Sequence, residues 1–163
     1  MKTIAIVMGS ASDLSVARKA ADVLDSLGIP FTVQVYSAHR TPDEAIMFAR
    51  TAVEKGVGVI IACAGMAAHL AGVIAANTIL PVIGVPISAS LGGIDALLST
   101  VQMPSGIPVA TVAVDGAKNA AYLAAEILAL GEPDLTAKLT TERSRMKAAV
   151  LQENATVEQG FRS

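Results

Sequence analysis

Only one cysteine, Cys63, stands among the 163 residues. No intrachain disulfide can form, and a reducing compartment is the simple expectation. Charge is scarce too: Asp, Glu, Lys and Arg make up 16% of the chain, where about 25% is usual for a soluble domain. The signs nearly balance, at a formal net charge of −2, so no basic face is implied and nucleic acid is not an expected partner. Two histidines and one cysteine at these spacings do not make a zinc site, and no metal is expected. What replaces charge is apolar surface, 53% of the residues, much of it alanine rather than aromatic. A monomer with so few charges would cover itself poorly. Alanine-rich helix faces packed between the subunits of a homo-oligomer are expected, against the plainer alternative of a monomer with an alanine-rich surface.

The longest uncharged stretch runs from Lys55 to Asp95. A spanning helix needs ~20 predominantly apolar residues, but Gly65, Gly72, Asn77, Pro81, Gly84 and Pro86 interrupt this one. Its β-branched runs read as buried strands instead. Thr3 to Met8 is too short for a signal h-region before Gly9-Ser10. The expectation is a cytoplasmic protein with no membrane partner.

Along the chain, β-branched runs alternate with helical spacing, and one domain covers residues 1–163. Thr3–Met8 is a continuous apolar run ending at Gly9, as a buried parallel strand would be. Ser12-Asp13 is a good N-cap pair for a helix carrying Leu14, Ala17, Ala20, Ala21, Leu24 and Leu27, with Gly28 as its stop. Phe31–Ser37 is a second strand. Thr41-Pro42-Asp43-Glu44 predicts a helix start, with Thr41 capping, Pro42 at the first position and Glu44 closing a capping box. Strands are then expected over Val57–Cys63, Pro81–Val85 and Pro108–Val114. Helices are expected over Met66–Asn77, Gly92–Gln102 and Ala117–Leu130. The last helix, Leu135–Asn154 (134–155 at its widest), follows a Gly-Glu-Pro break and is expected to pack on a neighbouring subunit. This alternation implies a three-layer α/β sandwich: a parallel five-stranded sheet in flavodoxin-like order 2-1-3-4-5, with an extra C-terminal helix.

In open parallel sheets ligands bind outside the carboxyl ends of the strands. Three loops there carry unusual residues. Met8-Gly9-Ser10-Ala11-Ser12-Asp13 sets small residues and hydroxyls before a helix, where free N–H groups and the helix dipole favour a phosphate. Ser10 and Ser12 could donate to it, and Asp13 could accept from ribose hydroxyls; plain helix capping explains the segment equally well. It matches neither the dinucleotide fingerprint nor a Walker loop. Ser37-Ala38-His39-Arg40-Thr41-Pro42 is more telling. Arg40 could clamp a phosphate, and a histidine that titrates near neutrality suits general acid–base work. In Ala64-Gly65-Met66-Ala67-Ala68-His69-Leu70, small residues allow close approach to the backbone. His69 alone reads as a satisfied core histidine, and Cys63 as an inert buried thiol.

Taken together, Met8-Gly9-Ser10…Ser12-Asp13, Ser37-Ala38-His39-Arg40-Thr41-Pro42 and Ala67-Ala68-His69-Leu70 resemble the class I N5-carboxyaminoimidazole ribonucleotide mutases. Pro81-Val82-Ile83-Gly84-Val85-Pro86, Leu91…Gly93…Asp95, Val101-Gln102-Met103-Pro104…Gly106…Pro108-Val109 and Asn119-Ala120-Ala121 continue the match, over roughly residues 3 to 130. The resemblance implies octamers of flavodoxin-like subunits with swapped C-terminal helices and an active site at subunit contacts. It implies a reaction without ATP, metal or organic cofactor, acting on a nucleotide and CO2. On this chain it would give Ser10, Ser12 and Arg40 the phosphate, Asp13 the ribose and His39 the acid–base role. Ser37 and Ala38 would flank the imidazole. Gly65, Ala67, Ala68 and His69 would line the carboxylate and CO2 pocket, with Leu70 beside them.

The chemistry is consistent with those roles. The carbamate loses CO2 once its nitrogen is protonated, and the aminoimidazole is nucleophilic at C4. C4 can attack retained CO2 and then lose its proton to regain aromaticity, so one histidine can give and later take that proton. Three departures from the family pattern are Met66 where many members have Gly, Ala71 where they have Pro, and Cys63 in place of a smaller residue. The competing readings are a CO2-dependent aminoimidazole ribonucleotide carboxylase, separated from the mutase by the third loop alone, and a non-catalytic nucleotide-binding module. A flavodoxin is disfavoured, since only Tyr36 and Tyr122 could stack on a flavin and tryptophan is absent.

Overall fold

A computed structural model describes residues 1–161. Its first strand, β1 (Thr3–Met8), lies second in a five-stranded sheet between β2 (Phe31–Val35) and β3 (Val57–Gly65); β4 (Val82–Ile87) and β5 (Ala110–Thr111) follow. The order is β2-β1-β3-β4-β5 and every pairing is parallel, as expected. Helices α1 (Leu14–Leu27), α2 (Pro42–Thr51), α3 (Leu70–Ala75), α4 (Ile94–Val101), α5 (Ala117–Ala129) and α6 (Pro133–Gly160) make the crossovers and the C-terminal extension.

The two-residue period of a strand divides the core between two faces. Ile4, Ile6 and Met8 of β1, with Val59, Ile61, Cys63, Ile83, Val85 and Ile87, meet the alanine faces of α1 and α5. Ala5, Val7, Ile60, Ala62 and Val82 face the other way, onto Phe48, Ala49 and Ala52 of the α2 segment and Leu70, Ala71 and Ile74 of α3. Both faces are covered, which explains the unbroken apolar runs. Alanine lets the helices ride close to the sheet: Ala117, Ala120, Ala121, Ala124 and Ala125 of α5 are all buried.

Several local expectations shift. Ser12-Asp13 is not the cap; a single 3₁₀ turn, Ala11–Asp13, precedes α1, and Ser10 caps it. Thr41 makes no cap bond to α2, because its hydroxyl closes the preceding loop. β2 stops at Val35, and β3 runs two residues past Cys63 to Gly65. Residues 66–69 are a tight turn, so α3 begins at Leu70. β5 is only two residues long, Ala110–Thr111, where Pro108–Val114 was expected. Beyond it Val112 N–H still reaches Gly84 C=O at 3.1 Å and Asp115 N–H reaches Pro86 C=O at 2.9 Å, outside regular pairing.

Helix α6 is longer than the periodicity suggested. Its first turns lie on their own chain: Leu135 and Leu139 are buried in the α1/α5 face, and the Lys138 ammonium donates to Leu27 C=O at 2.7 Å, satisfying a carbonyl at the end of α1. From Met146 onward the helix leaves the core, with Met146, Val150, Leu151, Val157 and Phe161 exposed. Among the described residues no helix is long and apolar enough to cross a membrane.

Candidate active site

The loops after β1, β2 and β3 converge on one cleft of about 490 Å³ at the carboxyl edge of the sheet. Gly9 N–H donates to Cys63 C=O at 2.9 Å, tying the first loop to the end of β3. The first loop then folds on its own polar groups. Ser10 N–H donates to Asp13 Oδ2 at 3.2 Å, and Ser12 N–H donates to Ser10 Oγ at 3.3 Å. The Ser12 hydroxyl lies 2.9 Å from Ser10 Oγ and 3.2 Å from Asp13 Oδ1. The result is a stiff turn that presents two hydroxyls to the cleft.

Asp13 is only 6% exposed. Burial pushes its carboxyl above the usual aspartate range, against the opposing pull of the Ser12 hydroxyl and the Ser10 N–H. The folded state therefore favours protonated Asp13. That contribution to stability is present below the ordinary aspartate pKa and lost as pH rises through the raised one. At neutral pH the buried carboxylate is a net cost to the fold. Asp13→Asn is expected to melt higher than the parent near about pH 7, with the difference shrinking toward about pH 4. Thermal melts at the two pH values check this; a variant that melts lower at neutral pH contradicts it.

The second loop is closed by Thr41. Ser37 N–H donates to Thr41 Oγ1 at 2.8 Å, Thr41 N–H donates to Ser37 C=O at 2.9 Å, and Arg40 N–H donates to Ser37 Oγ at 3.1 Å. Ala38, His39 and Arg40 are thereby carried out on a turn with few degrees of freedom. Beneath it Tyr36 packs on Phe48 with ring centroids 5.5 Å apart.

The third loop turns twice in four residues. Met66, at φ +56°, accepts from Ala68 N–H at 2.9 Å, and Ala67 C=O accepts from His69 N–H at 2.8 Å. This swings His69 over the cleft. His39 Nε2 lies 2.8 Å from His69 Nδ1, with the rings edge to face and 4.9 Å apart. His69 is thus no core histidine: it partners the other histidine of the chain across 30 residues of sequence.

Ser10, Ser12, Asp13, Ser37, Ala38, His39, Arg40, Gly65, Ala67, His69 and Leu70 all line this one cleft. Ala68 does not; it is 1% exposed and turns into the core. Gly9, Ala64, Met66 and Ala89 also line it. Ala89 follows β4, where the strand-end rule pointed, but Ser88-Ala89-Ser90 carries no chemistry that singles it out. Cys63 lies under the cleft, fully buried, its thiol pushed up to about 12 by burial and by the Asp13 charge, so it is no nucleophile. Among the described residues no three His, Cys, Asp or Glu side chains are grouped to hold a metal ion.

Residues 3–149 match the sequence model of the AIR carboxylase family. The chain belongs to that family. It is 55% identical over 148 residues to the N5-carboxyaminoimidazole ribonucleotide mutase of Pyrococcus horikoshii, covering 90% of this chain and 84% of that protein. The Bacillus subtilis protein of the same name is 51% identical over 154 residues, 93% of this chain and 95% of that one. In three dimensions the fold is similar to Treponema denticola PurE, with a TM-score of 0.84 at 28% identity over 94% of this chain and 97% of that one. The family match ends at residue 149, close to where α6 leaves the core.

Proposed function

We infer that this chain is an N5-carboxyaminoimidazole ribonucleotide mutase of purine biosynthesis, an isomerase that moves a carboxyl group from the exocyclic nitrogen to C4 of the imidazole. Relatives of that name align with about nine-tenths of the chain. The observation that carries the mechanism is that His39 lines the same cleft as the hydroxyls of Ser10 and Ser12 and the small residues Ala64, Gly65 and Ala67.

Ser10, Ser12 and Arg40 hold the phosphate. The hydroxyls stand at a helix entrance where N–H dipoles add to the guanidinium charge. Asp13 accepts from the ribose, which sets the imidazole beside Ser37, Ala38 and His39. Protonated His39 donates to the carbamate nitrogen. The N–C bond breaks with its electrons to nitrogen, and CO2 is released against Ala64, Gly65 and Ala67. C4 attacks it, the C–C bond forms, and the proton leaving C4 returns to His39. No proton is consumed overall, and the step requires no outside co-reactant. His69 positions His39: a single hydrogen fits on the 2.8 Å line between the rings, which fixes how the His39 ring is turned.

The enzyme acts in the cytoplasm as a homo-octamer. Two exposed apolar stripes support assembly: Leu91, Ile94, Leu98 and Val101 from the turn before α4 along that helix, and Met146, Val150, Leu151 and Val157 on distal α6. Sedimentation velocity measures the size, and a monomer would remove this part of the reading.

The experiment for the activity supplies the carbamate nucleotide with chelator, without ATP, in isotopically labelled bicarbonate. The carbon-carboxylated product should be largely unlabelled, because the released CO2 stays in the cleft. Fully labelled product would instead mean that CO2 comes from solution and the enzyme is a carboxylase. No product would leave a nucleotide-binding module.

A further inference from the structure

Met66 is held in the left-handed region at φ +56°, where a side chain with a Cβ is strained and glycine is not. Packing within this chain does not compensate for that strain, since Met66 is 61% exposed. Its side chain lines the cleft, and its neighbours in sequence there are the small residues Ala64, Gly65 and Ala67. The other large apolar residue lining the cleft, Leu70, is 1% exposed and locked in the core. Met66 is therefore the one long apolar side chain at the site that is free to move, and it sits on the stretch where Ala64, Gly65 and Ala67 leave room for a small apolar molecule.

We propose that Met66 is a specificity-determining residue that closes the apolar end of the cleft over released CO2, so that recapture by C4 outruns escape. This rests on the mutase reading given above. Carbon dioxide carries no charge or donor by which hydrogen bonds could hold it, so its retention depends on a steric barrier. A thioether on an unbranched stem with three rotatable bonds adapts to that task and withdraws to admit the nucleotide. Glycine at 66 would relax the backbone and leave the end open; methionine gives the reverse.

The test is the fraction of product carrying label when full-length enzyme turns over the carbamate nucleotide in labelled bicarbonate. Met66→Ala and Met66→Gly should each raise that fraction about threefold to tenfold over the parent. Met66→Leu, which keeps a long apolar side chain, should stay near the parent. Alanine keeps the left-handed strain and glycine removes it, so a common leak in both variants assigns the effect to the lost side chain rather than to the backbone. Labelling equal to the parent in both variants overturns the proposal. So does a leak that appears only when sedimentation shows the assembly has come apart, for then Met66 serves the subunit contact. If the mutase reading itself fails, the parent enzyme makes no product or makes fully labelled product, which is separable from either result.

Discussion

His39→Asn is expected to reduce turnover by about 10²–10⁴-fold while nucleotide affinity, measured by equilibrium dialysis with the carbon-carboxylated product, changes by no more than about threefold. The asymmetry follows from where the contacts lie. In the proposed mechanism phosphate and ribose are met by Ser10, Ser12, Asp13 and Arg40, whose turns are closed by their own hydrogen bonds and do not use the His39 ring. Asparagine keeps polar groups near His69 but cannot hold and return a proton. His69→Asn should be milder, lowering kcat with little change in KM, because His39 keeps its chemistry and loses only the partner that orients it at 2.8 Å. Parental turnover in His39→Asn would remove the acid–base role. A joint loss of affinity and turnover would make His39 a binding residue.

How much of this could be read beforehand depended on the range of the interactions concerned. Sheet order and layering follow from chain-local signals: apolar runs of about six residues separated by helical stripes admit few topologies once crossovers are right-handed. The boundary at Gly28 was equally legible, because a left-handed C-cap is a local property of glycine and φ there is +68°. The errors arose where a side chain had two possible partners. Thr41 beside Pro42 is a plausible cap, but its hydroxyl bonds Ser37, four residues back, and no pattern in sequence chooses between those partners. His69 is the clearest case. On an apolar helix entrance it suggested a core residue, and what overturns that is a ring 30 positions away. The strain at Met66 was out of reach for the same reason, since propensity puts methionine in a helix and only the double turn through residue 69 forces φ positive.

The second large effect lies beneath the site, where α4 meets β4. A Cβ at Gly84 would stand 2.3 Å from Thr100 Cγ2 and 3.0 Å from Val109 Cγ1. Thr100 is 2% exposed and its hydroxyl donates to Ala96 C=O at 2.7 Å, so the side chain has nowhere to swing. Gly84→Ala is therefore expected to lose about 2–3 kcal/mol in urea unfolding of the full-length protein, and Gly84→Val more, by overpacking rather than by any lost contact. The offending atom is a methyl, so it can be removed without touching the hydrogen bond. Thr100→Ser alone should lose about 1 kcal/mol for a buried methyl. Combined with Gly84→Ala the losses should be less than additive, about 2 kcal/mol in total against about 3–4 from the singles, a coupling of about 1–2 kcal/mol of opposite sign. Additive losses in the double variant would mean that α4 yields to the new methyl and that the contact is softer than 2.3 Å implies. Catalysis provides an independent check on the same pair. The segment after β4 lines the cleft only through Ala89, while Ser10, Ser12, His39, Arg40 and His69 ride on the loops after β1, β2 and β3. The folded fraction of Gly84→Ala should thus turn over within about twofold of the parent, which would place the glycine's role in packing and leave the chemistry to the three loops.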